Sequence, residues 1–200
     1  MSRNFAFFLS ALFHPVFVNL LNLFMLFTFF PALSHGVPAK LRLYYMGYVF
    51  ITTSIVPMVV VFSLRITGKI KSLSIEDKEE RRLPYLITFL MYVFNYYNLT
   101  KYAVPPLLLS YLFSGAVIML AIVVINYFYK ISIHAATLGS GAAILLSAAY
   151  HNSFDTRLFL AGFLIVSGLV CSARMFMKSH DEAQIYLGYL LGTIFMFILL

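Results

Sequence analysis

The stretch LLLSYLFSGAVIMLAIVVINYF, residues 107–128, contains no charged side chain. An α-helix needs about 20 apolar residues to cross a lipid bilayer, so this stretch is long enough to span one. The whole chain has the same character, since 62% of its 200 residues are hydrophobic and 10% are charged. A soluble domain carries about 25% charged residues. The sequence therefore predicts an integral membrane protein, spanned by helices because a helix satisfies its own backbone hydrogen bonds in lipid.

Seven apolar segments can be marked along the chain, and they extend over about residues 5–32, 43–64, 84–99, 105–129, 134–150, 157–173 and 185–200. The third is short, and we expect it to lie tilted or partly at the membrane interface. The first lacks the small-residue cleavage site of a signal peptide, so we expect it to be retained as a helix. We predict one membrane domain over residues 1–200, an all-α, polytopic transmembrane helical bundle with about six to seven spans.

The charges divide unevenly between the two sides of this bundle. If each segment crosses once, ten of the fourteen Lys and Arg residues fall on one side and four on the other. The richer side includes the loop RITGKIKSLSIEDKEERRLP, residues 65–84. The positive-inside rule assigns that side to the cytoplasm, provided that its charges only set topology. In a membrane protein, the net charge of +7 favours lipid headgroups or anionic substrates over nucleic acid.

Three polar stretches fall on the richer side: KEERRLP (78–84), KISIH (130–134) and SARMFMKSHDEAQIYLG (172–188). Even numbers of predicted spans separate them, so all three can meet at one membrane face. Ser179 and Glu182 match a capping box, which would make His180 the first residue of the last helix. Ser132 can cap the fifth segment in the same way, with His134 in its first turn.

Two histidines at helix N-termini, together with a basic loop, suggest a phosphate site. Helix N-termini present free N–H groups and partial positive charge to an anion. Arg174 would present a planar fork of donors to phosphate oxygens. Histidine can attack phosphorus or supply a proton near neutral pH.

Other polar residues of the apolar segments have simpler interpretations. We expect His14, Asn19 and Asn22 to be hydrogen-bond partners inside the bundle. His35 and His151 fall in turns on the opposite side and are interpreted as structural. Gly188 and Gly192 form a GxxxG pattern, a common device for close helix packing. The single cysteine, Cys171, excludes a disulfide framework.

The arrangement resembles the type 2 phosphatidic acid phosphatase superfamily, whose motifs are K-x6-R-P, P-S-G-H and S-R-x5-H-x3-D. Ser132-Ile133-His134 is similar to the second motif, with Ile131 in place of proline. Ser172-Ala173-Arg174, followed after five residues by His180, is similar to the third, with one inserted residue. Arg82-Leu83-Pro84 corresponds to the end of the first, and Lys78 is the nearest counterpart of its lysine. The resemblance covers about residues 78–190 and implies a core of six membrane helices.

The resemblance implies a mechanism that needs no metal and no cofactor. His180 would attack phosphorus and become a phosphohistidine, while His134 would protonate the departing oxygen. The phosphoryl oxygens would be bound by a polar and basic set of side chains: Arg174, Ser132, Arg82, Arg81 and Lys78. Of the two arginines in that loop, we expect Arg81 or Arg82 to enter the pocket.

The chain departs from the family pattern at position 184, where Gln184 replaces the aspartate that orients the nucleophilic histidine. Gln184 lies one helical turn after His180, so we expect its amide oxygen to accept a hydrogen bond from Nδ1 of that ring. An amide cannot neutralise an imidazolium, and in the serine-protease triad the corresponding Asp→Asn change costs about ten-thousand-fold.

The sequence thus favours a membrane phosphatase that acts on a lipid phosphate or pyrophosphate, with the inner (plasma) membrane of a bacterium as its expected location. The alternatives are a polytopic lipid-binding or transport protein without turnover, and a purely structural membrane subunit. The charge count favours a site on the cytoplasmic side, whereas many relatives in the resembled superfamily act on the outer side. The expected partners are a phosphorylated lipid and the membrane, not nucleic acid, and the oligomeric state stays open.

Overall fold

The computed structural model describes residues 1–72, 75, 77–151 and 155–200. Residues 73, 74 and 76 of the predicted charged loop lie outside this set. Within the described residues the chain forms ten α-helices and one π turn, with these bounds: α1 (Arg3–Leu12), α2 (Pro15–Phe29), α3 (Pro31–Ser34), α4 (Ala39–Phe50), the π turn (Ile51–Ile55), α5 (Val56–Ile66), α6 (Arg82–Leu99), α7 (Pro106–Phe128), α8 (Ile133–Tyr150), α9 (Arg157–Phe176) and α10 (Glu182–Leu199). The predicted all-α membrane bundle is confirmed.

Five helices of the described chain are long and apolar enough to cross a membrane. They are the continuous helix Ala39–Ile66, which joins α4, the π turn and α5, together with α7, α8, α9 and α10. The bent pair of α1 and α2 would make a sixth span. Helix α6, which contains the short third apolar segment, lies outside this set.

The first apolar segment was predicted as one helix, and this is wrong. It is divided into α1 and α2, which meet at an angle of 48°. Pro15 occupies the first position of α2, where a missing N–H is not needed by the helix. His14 stands just before it as the N-cap, and its Nδ1 accepts a hydrogen bond from the Val16 N–H at 3.4 Å.

Helix α8 lies at the centre of the bundle, against α2, α9 and α10. Its contact with α10 is unusually close because glycines replace larger side chains on both helices. A Cβ atom on Gly192 would collide with the carbonyl of Ala136, and one on Gly139 would collide with the carbonyl of Tyr189. The interpretation of Gly188 and Gly192 as a packing motif agrees with this contact, which fixes the start of α10 beside the start of α8.

A polar layer connects α2 to the π turn and to α6 and α7. Asn19 Nδ2 donates to Thr53 Oγ1 and Ser54 Oγ, both at 2.9 Å, and Asn19 Oδ1 accepts from the hydroxyls of Tyr92 (2.9 Å) and Tyr111 (2.7 Å). Every hydrogen-bonding group of this amide therefore has a partner inside the bundle. Asn22 Nδ2 likewise donates to the Thr137 carbonyl at 3.0 Å. The expectation that both asparagines are internal hydrogen-bond partners is confirmed.

Candidate functional site

The three polar stretches meet at one end of the bundle, as the sequence predicts. Arg81 Nη1 donates to the Ile131 carbonyl at 3.4 Å, which joins the first stretch to the second. The Ser132 N–H donates to the Gln184 carbonyl at 3.3 Å, which joins the second to the start of α10. The starts of α6, α8 and α10 and the end of α9 are therefore neighbours.

A cavity of about 1180 Å³ adjoins these stretches. It is larger than most small-molecule pockets, which span about 300–1000 Å³. Three histidines and three arginines line it: His14, His134, His180, Arg3, Arg81 and Arg174. Among the described residues no Asp or Glu lines the cavity. The arginine side chains at its polar end suit an anion.

His134 is placed in the first turn of α8, where the Ser132 hydroxyl caps the helix by accepting from the Ala135 N–H at 3.4 Å. The predicted cap is thus present. The imidazole is only 8% exposed and lies against the backbone of Ser10. Its Nε2 atom has no hydrogen-bond partner among the described residues. A buried polar atom that is left without a partner is costly, which is consistent with a ligand in the adjacent cavity.

His180 lies in the connection between α9 and α10, not within α10 as predicted. Helix α9 ends in a Schellman motif: the Ser179 N–H donates to the Arg174 carbonyl at 3.1 Å, and Lys178 has a left-handed φ of 55°. Ser179 therefore belongs to the end of α9 and cannot cap α10. Asp181 is the N-cap instead, and its Oδ1 accepts from the Gln184 N–H at 2.8 Å. The predicted capping box is wrong for this reason.

Gln184 reaches His180, as expected, and it is itself held by a carboxylate. His180 Nδ1 lies 2.8 Å from Gln184 Oε1, and Gln184 Nε2 donates to Asp181 Oδ2 at 2.8 Å. A carboxylate can only accept, so the amide must direct its NH₂ group to Asp181 and its oxygen to His180. Nδ1 of the neutral imidazole therefore carries the hydrogen, and Nε2 carries the lone pair.

The surroundings of His180 also keep its ring neutral. Burial lowers the pKa of His180 to about 4, although its hydrogen bond to Gln184 acts in the opposite direction. The positive charges of Arg81, Arg174 and Lys130 add to the lowering. At pH 7 the imidazole is uncharged, so its lone pair is available to attack an electrophile.

Arg174 and Arg81 supply the positive charge at this end of the cavity. Arg174, in the last turn of α9, interacts electrostatically with all three cavity histidines. Arg81 is 5% exposed, and its Nε donates to the Ile75 carbonyl at 2.6 Å. These contacts hold Arg81 at the cavity, in agreement with the expectation that one arginine of the pair enters it.

Three other residues predicted to bind phosphate are directed elsewhere. Arg82 pairs with Glu79 Oε1 at 3.2 Å and lies over the Tyr127 ring at 4.8 Å. Lys78 Nζ donates to the Tyr127 carbonyl at 3.4 Å. The Ser132 hydroxyl is occupied as the cap of α8. None of the three lines the cavity, because each makes these contacts elsewhere.

We expected His14 to be a hydrogen-bond partner inside the bundle, and this missed its position, because the side chain is exposed and accepts from the Val16 N–H two residues on. Its ring lies edge-on to that of His134, with 5.5 Å between the ring centroids and an angle of 87° between the planes. The signal was present in the sequence as the pair His14-Pro15 inside an apolar run, since proline at the first position of a helix marks a new start. That break turns α1 back toward the end of α9 and brings His14 to the cavity.

The cavity also reaches the outside of the bundle. Five apolar residues that line the cavity have exposed side chains: Phe7, Phe17, Met58, Val59 and Phe62. They belong to α1, α2 and α5. Farther inside, the wall is formed by buried apolar side chains such as Ile118, Met119 and Ile122. An amphiphile with an anionic head and an apolar chain matches this distribution of polar and apolar surface.

The fold and the site define a polytopic helical membrane protein with a cationic, histidine-lined cavity at one end. The chain matches no protein-family model, no curated protein and no solved structure. Within the described residues no group of three His, Cys, Asp or Glu side chains is placed to hold a metal ion.

Proposed function

We propose that this protein is a membrane-bound phosphatase that hydrolyses a lipid phosphate or pyrophosphate through a histidine nucleophile. The observation that carries the proposal is the hydrogen-bonded chain from Asp181 through Gln184 to His180. It leaves a neutral imidazole with its Nε2 lone pair in a cavity lined by arginines. Activated nucleophiles generally follow this arrangement: a second group orients the nucleophile, and a third group orients the second.

The reaction would proceed in two displacements. In the first, His180 Nε2 forms a bond to phosphorus while the bond from phosphorus to the leaving oxygen breaks, and His134 gives that oxygen a proton. In the second, His134 removes a proton from water, the water oxygen binds phosphorus, and the phosphorus–nitrogen bond breaks to release phosphate. Arg174 and Arg81 would stabilise the negative charge on the phosphoryl oxygens in both steps.

The lipidic nature of the substrate is supported by the apolar part of the cavity. A phosphate head near the histidines would leave its chain among the apolar residues that extend to the exposed side of α2 and α5. The proposal also includes the inner membrane of a bacterium as the site of action.

Phosphate release by the purified full-length protein tests this function. In detergent or in lipid nanodiscs we expect release from a long-chain lipid phosphate or pyrophosphate, and much slower release from glycerol phosphate, which lacks the chain. Equal rates for both would argue against a lipid substrate. Binding of a lipid phosphate without release of phosphate would instead support a non-enzymatic lipid-binding protein. The observation that motivates this alternative is that position 184 carries Gln184 and not a carboxylate.

A carboxylate at position 184 is expected to increase activity. Gln184→Asp, combined with Asp181→Asn so that two carboxylates do not face each other, would stabilise the imidazolium form of His180. We expect kcat/KM to rise by about tenfold. The pKa of His180 would rise from about 4, so the acid limb of the kcat/KM profile would move to higher pH.

Gln184→Leu is the matched control, because it removes the acceptor for Nδ1 and frees the ring to adopt the other tautomer. It should lower kcat/KM by about a hundredfold or more. Asparagine is also an effective N-cap, so the Asp181→Asn change in the double variant should leave α10 folded. If the double variant and the leucine variant both behaved as wild type, the orienting role of Gln184 would be wrong.

A further inference from the structure

His14 lies outside every motif discussed above, yet it adjoins the same end of the cavity. It is the N-cap of α2, a helix of 15 residues, and it lines the cavity together with His134, His180 and Arg174. Its ring packs edge-on against that of His134 at 5.5 Å. The neighbouring Nε2 of His134, on a ring only 8% exposed, has no hydrogen-bond partner among the described residues. This independent observation is consistent with a ligand that contacts the cavity beside His14.

The tautomer of His14 follows from its role as a cap. Nδ1 accepts the hydrogen of the Val16 N–H and must therefore carry a lone pair. In the neutral ring the hydrogen is then on Nε2, which makes Nε2 a donor. The tautomer of His14 is thus opposite to that of His180, whose Nδ1 carries the hydrogen and whose Nε2 has the lone pair.

We infer that His14 is a third histidine of the site and donates a hydrogen bond from Nε2 to an oxygen of the bound phosphoryl group. This inference rests on the proposed function, and it adds a substrate-binding residue from the break between α1 and α2. A neutral donor at this position would bind an anion without placing another full positive charge beside Arg174. It would also make the angle between α1 and α2 a determinant of phosphate affinity, since that angle sets the position of the ring.

Two substitutions separate a ligand contact from a purely structural cap. His14→Asn supplies a short side-chain oxygen that can accept the backbone N–H at the start of α2, but it lacks a donor at the position of Nε2. His14→Gln places an amide N–H near that position, but it is a poor N-cap. The full-length protein should be used for both, with inorganic phosphate as the probe and protection against thermal unfolding as the binding readout.

If the inference is correct, His14→Asn weakens phosphate binding by about tenfold and raises KM for a lipid phosphate, because a hydrogen bond to a charged group is lost. His14→Gln then binds phosphate within about threefold of wild type, while the unliganded protein unfolds at a lower temperature because the cap is lost. The opposite pattern, with normal binding in His14→Asn and weak binding in His14→Gln, would overturn the inference and leave His14 as a cap only.

The same experiment distinguishes failure of the inference from failure of the proposed function. Wild-type protein that binds phosphate but releases none from lipid phosphates would refute the phosphatase, and the two variants would still decide the role of His14 by binding. Wild-type protein that binds no phosphate would overturn both. Normal turnover with normal phosphate affinity in both variants would overturn the inference alone.

Discussion

Replacing His180 with alanine is expected to reduce lipid-phosphate hydrolysis to background, a loss of at least about a thousandfold in kcat. The physical reason is that no other group would form the bond to phosphorus, since the ring of His134 has been assigned to proton transfer. The rate of phosphate release by the purified full-length variant measures this effect. Wild-type protein mixed with labelled substrate should also yield an acid-labile phosphohistidine, which His180→Ala should not form.

His151→Ala is the control for this substitution. His151 is exposed at the end of α8 and does not line the cavity, so its replacement should leave turnover unchanged. An active His180→Ala protein would refute the nucleophile. Equal loss in the His151 variant would show that the effect comes from damage to the fold.

Replacing His134 with glutamine is expected to lower hydrolysis of an alkyl lipid phosphate by about a hundred- to a thousandfold, the usual contribution of a general acid. Glutamine is similar in length, so the packing of this buried site is largely kept. An alkoxide is a poor leaving group and needs a proton as its bond to phosphorus breaks. The phenolate of an aryl phosphate leaves readily without one, so hydrolysis of an aryl phosphate should be far less affected.

The ratio of the two rates identifies the role of His134. A large loss with the alkyl substrate and a small loss with the aryl substrate would support proton transfer by this ring. Equal losses with both substrates would contradict it and would assign His134 to binding or to structure. His35→Gln, at an exposed turn away from the cavity, provides the matched control.

Several parts of the structure followed from the sequence because they depend on local chemistry. The length of the apolar segments predicted the membrane bundle. The cap of α8 followed from Ser132, since a serine before an apolar helix has few other partners in the chain around it. The contact between Gln184 and His180 followed from their spacing, because residues four apart are neighbours around a helix end.

Two of the failed predictions, the cap of α10 and the role of Arg82, involve choices between competing interactions. Ser179 and Asp181 can both cap a helix, and only the Schellman ending of α9 decided in favour of Asp181. Arg81 and Arg82 are adjacent and chemically equal. The carbonyls of Ile75 and Ile131 hold Arg81 at the cavity, while Glu79 and Tyr127 draw Arg82 away.

By itself the sequence determined that this chain is a helical membrane protein with polar stretches on one side, because hydrophobic length and helix capping are properties of neighbouring residues. Only the tertiary structure decided that His14 joins His134 at the cavity. A bend of 48° at Pro15 and the packing of α1 against α9 bring this about, and both depend on contacts between residues far apart in the chain. Such contacts leave no periodic pattern in the sequence, so the composition of the cavity is a property of the folded bundle.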